Sequence, residues 1–430
     1  MSVTKINNIP PVRTNASLAN IEVSSIPLAL YIHIPWCVKK CPYCDFNSHE
    51  LSVDHPLSMY DDYVDALLDD AKLQQALTQD RSISSIFIGG GTPSLLPIAQ
   101  YQRLFAGLRS CFKFAEDIEI TMEANPGTLE HAPFSEYLQV GINRLSIGVQ
   151  SFAADKLTTL GRIHDPKQAL SAIKAARKAG FERVNVDLMH GLPKQTLIEA
   201  LYDIQTAHDG GATHISWYQL TIEPNTVFYR SQPLLPDEGS LADIEEAGQA
   251  LLQRLGYSNY EVSAWVGASD SPCRHNVNYW QFGDYLAIGA GAHGKVSIDI
   301  ANLDEKGSSV LINHGLTLDN DIYRFSKSRL PKDYTNYKNS DSSIHDLPKM
   351  VNWQAIATDE LVSEFMLNVL RLYEGVEWSL FTARTGLSYS HIAMQIKHLV
   401  DKGLLIDSKD KLKPTALGRR YLNQVLREFL

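Results

Sequence analysis

The sequence predicts an α/β fold: a partial parallel (β/α)6 barrel of the TIM-like kind, followed by a helical, winged-helix-like C-terminal domain. Three observations predict it. Short β-branched runs recur, each closed by glycine or polar residues and followed by an amphipathic stretch of helical length. Six such units stand in series, which calls for a parallel sheet, and right-handed crossovers curl that sheet into part of an eight-fold barrel. Beyond residue 350 the pattern turns to helices and one short apolar run.

Taken in order, residues 1–26 are rich in Asn, Ser, Thr and Pro without periodicity and read as a flexible tail. Strands are expected at Leu28–Ile34, Ser85–Gly89, Ile118–Ala124, Arg144–Val149, Val184–Met189 and His214–Leu220. Helices are expected at Tyr60–Leu77, Ile98–Cys111, Lys167–Ala179 and Leu197–Ala207. A helix near Leu241–Leu255 and strand-like pieces at Tyr260–Val266 and Tyr285–Ile298 extend this core, so that residues 27–300 form one unit. Residues 301–350, with clustered Asp, Asn, Ser, Lys and Pro, read as a connector or insertion. In residues 351–430, helices at Glu360–Tyr373, Trp378–Thr385 and Ser390–Lys402, a strand at Leu404–Ile406 and a closing helix from Thr415 give winged-helix order.

The composition, 44% hydrophobic and 20% charged, is that of a globular protein. No apolar stretch approaches a membrane span and no secretory signal is evident, so the expected location is the cytoplasm. A net charge of −10 disfavours nucleic acid and anionic lipid as general partners. The last 80 residues are near balance, with ten Lys/Arg and nine Asp/Glu, and their second helix offers only Lys397 and Lys402. That favours a docking or lid module over a DNA reader.

Directly after the first strand stands Cys37-Val-Lys-Lys-Cys41-Pro-Tyr-Cys44. A cubane iron–sulfur cluster normally takes four thiolates, so a loop supplying three leaves one iron open to an outside ligand. A zinc site completed by His33 or His49 uses the same spacings and remains an alternative. Disulfide pairing is disfavoured by the odd count of five cysteines.

Residues at the carboxyl ends of parallel strands converge on one face. Here they are the cysteines, Gly89-Gly-Gly-Thr-Pro-Ser94, Glu123-Ala-Asn-Pro126, Gln150 and Asp187. A glycine turn lets an anion approach backbone N–H groups, although a plain strand-to-helix turn capped by Thr92 or Ser94 reads equally well. The turn lacks the Gly-Lys-Ser/Thr ending of a phosphate loop. Gly289-Ala-Gly291-Ala-His-Gly294 matches a dinucleotide fingerprint in form only, because a strand-like run follows it where a helix is required.

With Tyr31-Ile-His-Ile-Pro-Trp-Cys37, the C-x3-C-x2-C loop, Gly-Gly-Gly-Thr-Pro and Val186-Asp-Leu-Met-His-Gly-Leu-Pro193, the chain resembles the radical S-adenosylmethionine superfamily. Within it, the likeness is to the branch of oxygen-independent coproporphyrinogen III dehydrogenase and the HemW-type haem chaperones. The resemblance implies a [4Fe-4S] cluster on Cys37, Cys41 and Cys44, its open iron chelated by S-adenosylmethionine. Tyr31, Tyr43, Phe46, Gly90, Gly91, Thr92, Glu123, Gln150, Arg162 and Asp187 would line the cofactor site. The dehydrogenase carries a further cysteine where this chain has Phe46, and an N-terminal extension associated with its substrate site where about 30 weakly structured residues here precede the first strand; both departures match the chaperone.

Cys273-Arg-His275-Asn276-Val-Asn-Tyr279-Trp280 looks like the H-N-x-x-Y-W element of those chaperones. An imidazole can ligate haem iron, and Tyr279 and Trp280 offer flat apolar surface. Read without the resemblance, His275 and Asn276 make a turn or cap with the aromatics in the core; Cys273 is an alternative soft ligand. The resemblance implies a carrier, a monomer or dimer, that binds haem and passes it to acceptor haem proteins, including ones at the inner face of the membrane, where the carrier itself would attach peripherally. The alternative is radical oxidative decarboxylation of coproporphyrinogen III.

Overall fold

The computed structural model describes residues 21–52, 56–127, 132–316, 321–336 and 351–430. Most of the expected tail lies outside them, as do residues 337–350 of the expected connector.

Six parallel strands carry the barrel: β1 (Leu28–Ile34), β2 (Ile83–Gly90), β3 (Phe114–Ala124), β4 (Arg144–Gln150), β5 (Arg183–His190) and β6 (His214–Gln219). They pair in sequence order, as right-handed β-α-β crossovers require. The connecting helices include α1 (Ser58–Gln74), α2 (Ile98–Cys111), α3 (Pro166–Lys178) and α4 (Leu197–Gly210). The last two begin at capping boxes, Asp165 with Gln168 and Thr196 with Glu199, which satisfy N–H groups of the first turn.

The sheet runs past the six strands at both edges. After a helix at Glu238–Arg254, a hairpin of β7 (Tyr257–Glu261) and β8 (Ala264–Gly267) closes one side antiparallel to β6. On the other, β9 (Asp284–Ile288) lies parallel to β1, and β10 (His293–Ile298), β11 (Asp321–Lys327) and β12 (Val351–Ala355) follow antiparallel. Strand β11 therefore builds the sheet out of the stretch read as connector. Its Ile322, Tyr323 and Phe325 are buried, but the neighbouring Asp, Asn and Ser clusters mask that run in the composition. The glycine run 289–294 joins β9 to β10, and a Cβ on Gly289 would lie 2.4 Å from the His33 carbonyl oxygen. A strand follows it, as the sequence indicated.

Period-two alternation divides β1 cleanly: Leu30, Ile32 and Ile34 enter the apolar layer under the outer helices, while Tyr31 and His33 share the opposite face. Helix α5 (Arg274–Trp280) packs against β1, β2 and β9. Glu119 of β3 accepts from the Arg274 N–H at 2.9 Å and the His275 N–H at 3.4 Å, anchoring the first turn of that helix. Burial pushes the Glu119 carboxyl up, but the Arg144 and Arg183 guanidiniums outweigh it and hold it below its ordinary range.

The C-terminal domain has its own core around Phe365, Phe381, Ile396 and Leu399. Its small sheet pairs Val376–Glu377 with Lys411–Leu412. The strand expected at Leu404–Ile406 reduces to a bridge from Leu405 to Pro414, because proline has no N–H to continue the ladder. The closing helix is broken into Ala416–Arg420 and Leu422–Arg427. Among the described residues no helix is long and apolar enough to cross a membrane.

Candidate functional site

The carboxyl end of β1 runs straight into the cysteine loop, which is stitched to the glycine turn after β2. Gly91 N–H donates to the Ile34 carbonyl at 2.7 Å and Thr92 N–H to that of Trp36 at 2.6 Å. A Cβ on Gly91 would lie 2.5 Å from Trp36 O, so only glycine allows this approach. The other side of the loop is pinned by Phe228 N–H to the Pro42 carbonyl at 2.9 Å, with the Tyr43 ring against Phe228.

Cys37, Cys41 and Cys44 are half-buried and free of disulfides. Burial pushes the Cys37 thiol up to about 11; hydroxyl bonds from Thr92 and Ser48 oppose that shift, while the Cys44 and Cys41 sulfurs reinforce it. The three sulfurs thus share one electrostatic environment. Arg162 reaches Cys41 Sγ at 3.6 Å, and its other nitrogen donates to Asn125 Oδ1 at 2.6 Å and the Gly148 carbonyl at 2.7 Å. Among the described residues, no three His, Cys, Asp or Glu side chains converge tightly enough for a single metal ion. His33, the imidazole considered for zinc, has both nitrogens engaged: Tyr31 OH lies 3.0 Å from Nδ1 and the Asn47 carbonyl 2.8 Å from Nε2. His49 Nε2 contacts the Arg329 carbonyl at 3.2 Å.

Beside the glycine turn, Gly90 N–H donates to Glu123 Oε2 at 3.2 Å. Glu123 keeps some surface open to the barrel mouth but is ringed by protein. Burial, reinforced by the Asp187 carboxylate, pushes its carboxyl up to about 8. Burial also raises Asp187, against hydrogen bonds from Ser146 at 2.9 Å and Asn185 at 2.9 Å. Gln150, at φ 72°, turns its amide oxygen to Tyr218 OH at 2.9 Å.

A cavity of about 650 Å3 opens above these groups. Of the residues anticipated, Tyr31, Phe46, Gly90, Glu123 and His275 line it, together with Tyr279, Tyr285, His293 and Arg329. Tyr43, Gly91, Thr92, Gln150, Arg162 and Asp187 do not line it. The His275 ring packs 5.2 Å from Phe87 and 6.3 Å from Tyr31, and its Nδ1 is buried without a hydrogen-bond partner. Burial lowers its pKa to about 4, so the imidazole is neutral at pH 7.

Two sequence readings are corrected here. Trp280 does not face the cavity; it lies under the Arg371 guanidinium at 4.4 Å and packs on the C-terminal core, because a residue five beyond His275 turns to another side of the helix. Cys273 is fully buried, its thiol 3.4 Å from Glu119 Oε1, and lines no part of the cavity. The sequence reading missed Asn47 and Tyr218, considered His33 only for zinc, and gave Asn125 no role of its own. The Tyr-x-His alternation of β1, which puts both rings on one face, was the available signal for His33.

Comparison with known proteins extends this picture. The family model described as the radical SAM superfamily matches residues 31–206, and that of the HemN C-terminal domain matches residues 356–421. The chain is 45% identical over 406 residues to the heme chaperone HemW of Escherichia coli (strain K12), covering 94% of this chain and 98% of that one. The chain belongs to the HemW family of radical SAM proteins. HemW relatives from Haemophilus influenzae and Bacillus subtilis (strain 168) are 44% and 32% identical, each covered over 98% of its length. In structure, the coproporphyrinogen III oxidase HemN from Escherichia coli superposes with a TM-score of 0.74 over 96% of this chain and 92% of that one, at 23% identity. That likeness extends the HemW assignment to the fold alone.

Proposed function

We propose that this protein is a haem carrier: it binds haem in the barrel-mouth cavity beside His275 and passes it to acceptor haem proteins. The observation carrying the reading is the neutral imidazole of His275 on the wall of a cavity of about 650 Å3. That volume lies within the usual range of small-ligand sites, and a neutral imidazole has the lone pair an axial ligand needs. The relatives named heme chaperone HemW support the same reading.

The residues present also fit a [4Fe-4S] cluster and S-adenosylmethionine. Cys37, Cys41 and Cys44 are three unpaired thiols on a loop held from both sides. The Gly90–Gly91 turn packs its backbone against His33 and Trp36 too closely for any side chain, and Glu123 and Tyr31, which line the cavity, offer an acceptor and a hydroxyl to an amino acid and a ribose. The cluster would supply an iron with one free coordination position. Completeness of this set favours, as a second reading, radical decarboxylation of coproporphyrinogen III; Phe46, standing where the dehydrogenase has a cysteine, opposes it.

The test is anaerobic haem titration of cluster-reconstituted wild type and His275→Ala, read at the Soret band after gel filtration. Wild type should retain haem, and the variant should show a shifted or lost band. Haem-free wild type that instead converts coproporphyrinogen to protoporphyrinogen would replace the carrier reading with the enzymatic one.

A further inference from the structure

The cavity is lined by two chemically unlike sets of residues. One set is Tyr31, Gly90, Glu123 and His275; the other is His293, Lys327 and Arg329, from the start of β10, the end of β11 and the segment after it. The second set is crowded with cations. The Arg324 and Arg329 guanidiniums, after burial, act to lower the proton affinity of His293.

Their partners are unevenly shared. Lys327 is committed to Asp70 at 2.6 Å, and Arg324 to Glu364. The exposed Arg329 side chain, by contrast, has one long contact, Nε to Asn47 Oδ1 at 3.5 Å. Among the described residues neither Arg329 nor His293 has a carboxylate partner. The Arg329 backbone is nevertheless fixed, its carbonyl accepting from Asn47 Nδ2 at 2.8 Å and facing His49 Nε2 at 3.2 Å. A guanidinium held at the rim of a cavity, close to an imidazole and without an internal counter-ion, is suited to bind a carboxylate from outside. Arginine does this in bidentate geometry that lysine cannot reproduce. Of the carboxylates that line the cavity among the described residues, Asp45 belongs to the cysteine loop and Glu123 to β3.

We propose that Arg329, with His293 beside it, is the carboxylate-recognising wall of this cavity, selecting a tetrapyrrole by its propionate groups. The inference rests on the haem reading above and adds what sets the orientation of the ligand: propionates toward the β10–β11 rim, with the porphyrin face left to His275 and Tyr279. A tetrapyrrole lacking free carboxylates fills the same apolar space without this anchor.

Soret titrations of cluster-reconstituted protein with haem and with haem dimethyl ester test it, using wild type, Arg329→Ala and Arg329→Lys. Wild type should bind haem at least tenfold more tightly than the ester. Arg329→Ala should lose about tenfold for haem and little for the ester, with Arg329→Lys in between, and raised salt should weaken only the haem complex of wild type. Equal wild-type affinity for haem and ester, or equal losses for both ligands in Arg329→Ala, overturns the propionate assignment while leaving haem carriage standing. Wild type that binds neither ligand overturns the carrier reading and this inference together.

Discussion

A Cβ on Gly90 would sit 2.5 Å from His33 Cε1, although the two residues are 57 positions apart in sequence. The glycine turn is built around a histidine that is itself fixed from both ring nitrogens. Gly90→Ala therefore cannot be absorbed by a rotamer change, and Gly90 also has φ 115°. We expect a destabilisation of about 2 kcal/mol, combining strain and steric conflict, together with weakened S-adenosylmethionine binding. Urea unfolding and isothermal titration check the two parts; unchanged binding would remove the turn from the cofactor site.

Glu123, with its carboxyl pushed up to about 8 from 4.5, is protonated in the folded protein where the unfolded chain is ionised. Its contribution to stability is complete below about pH 4.5 and fades as pH rises to about 8, at up to about 1.4 kcal/mol per pH unit. Glu123→Gln should remove that slope and be more stable than wild type near pH 8. Parallel stability profiles from pH 5 to 8 would refute the shift.

Arg162 joins Cys41 to the strand ends through three hydrogen bonds. Hydrogen bonds to a charged group contribute roughly 1.5–3 kcal/mol, so Arg162→Ala should loosen the cysteine loop from the strand ends by an energy of that order and lower the iron retained after reconstitution. Iron analysis beside a thermal melt separates a loosened loop from a destabilised barrel.

Asp284 is a structural counterpart, buried between Arg81 at 2.7 Å and Lys295 at 2.9 Å. Burial works against its charge, but these two cations outweigh it and hold its carboxyl well below the usual range. The stability it contributes is present above its ordinary value of 3.8 and is lost as pH falls below it. Asp284→Asn leaves two buried cations short of a partner and should cost about 3–5 kcal/mol, measured by urea unfolding at pH 7. A change under 1 kcal/mol would refute the pairing.

The barrel strands were legible because each is buried on its helix-facing side and reads as an apolar β-branched run; observed ends differ from expected ones by a few residues. The cysteines were legible because their spacing is local. The roles of Asn125 and Tyr218 were not, since each matters through partners distant in sequence and brought near only by the fold: Asn125 between Thr92 and Arg162, Tyr218 opposite Gln150. Trp280 was misplaced for the converse reason. Proximity to His275 in sequence suggested a shared surface, and helical geometry turned the two apart.

The helix carrying His275 is only seven residues long and touches three bodies: Glu119 inside the barrel, the ligand cavity, and, through Trp280 and Arg371, the C-terminal domain. Arg371 is also ion-paired with Glu261 at 3.1 Å, and Phe282 just beyond the helix lies 5.8 Å from Phe365. So short a rod has no slack in which to dissipate a tilt. If a ligand in the cavity favours one tilt of this helix, linkage requires that whatever fixes the seating of the C-terminal domain in that tilt strengthens the ligand's binding by the same factor. Under the carrier reading proposed above, the final 80 residues would be the part of the chain through which an acceptor protein reaches the helix that lines the cavity.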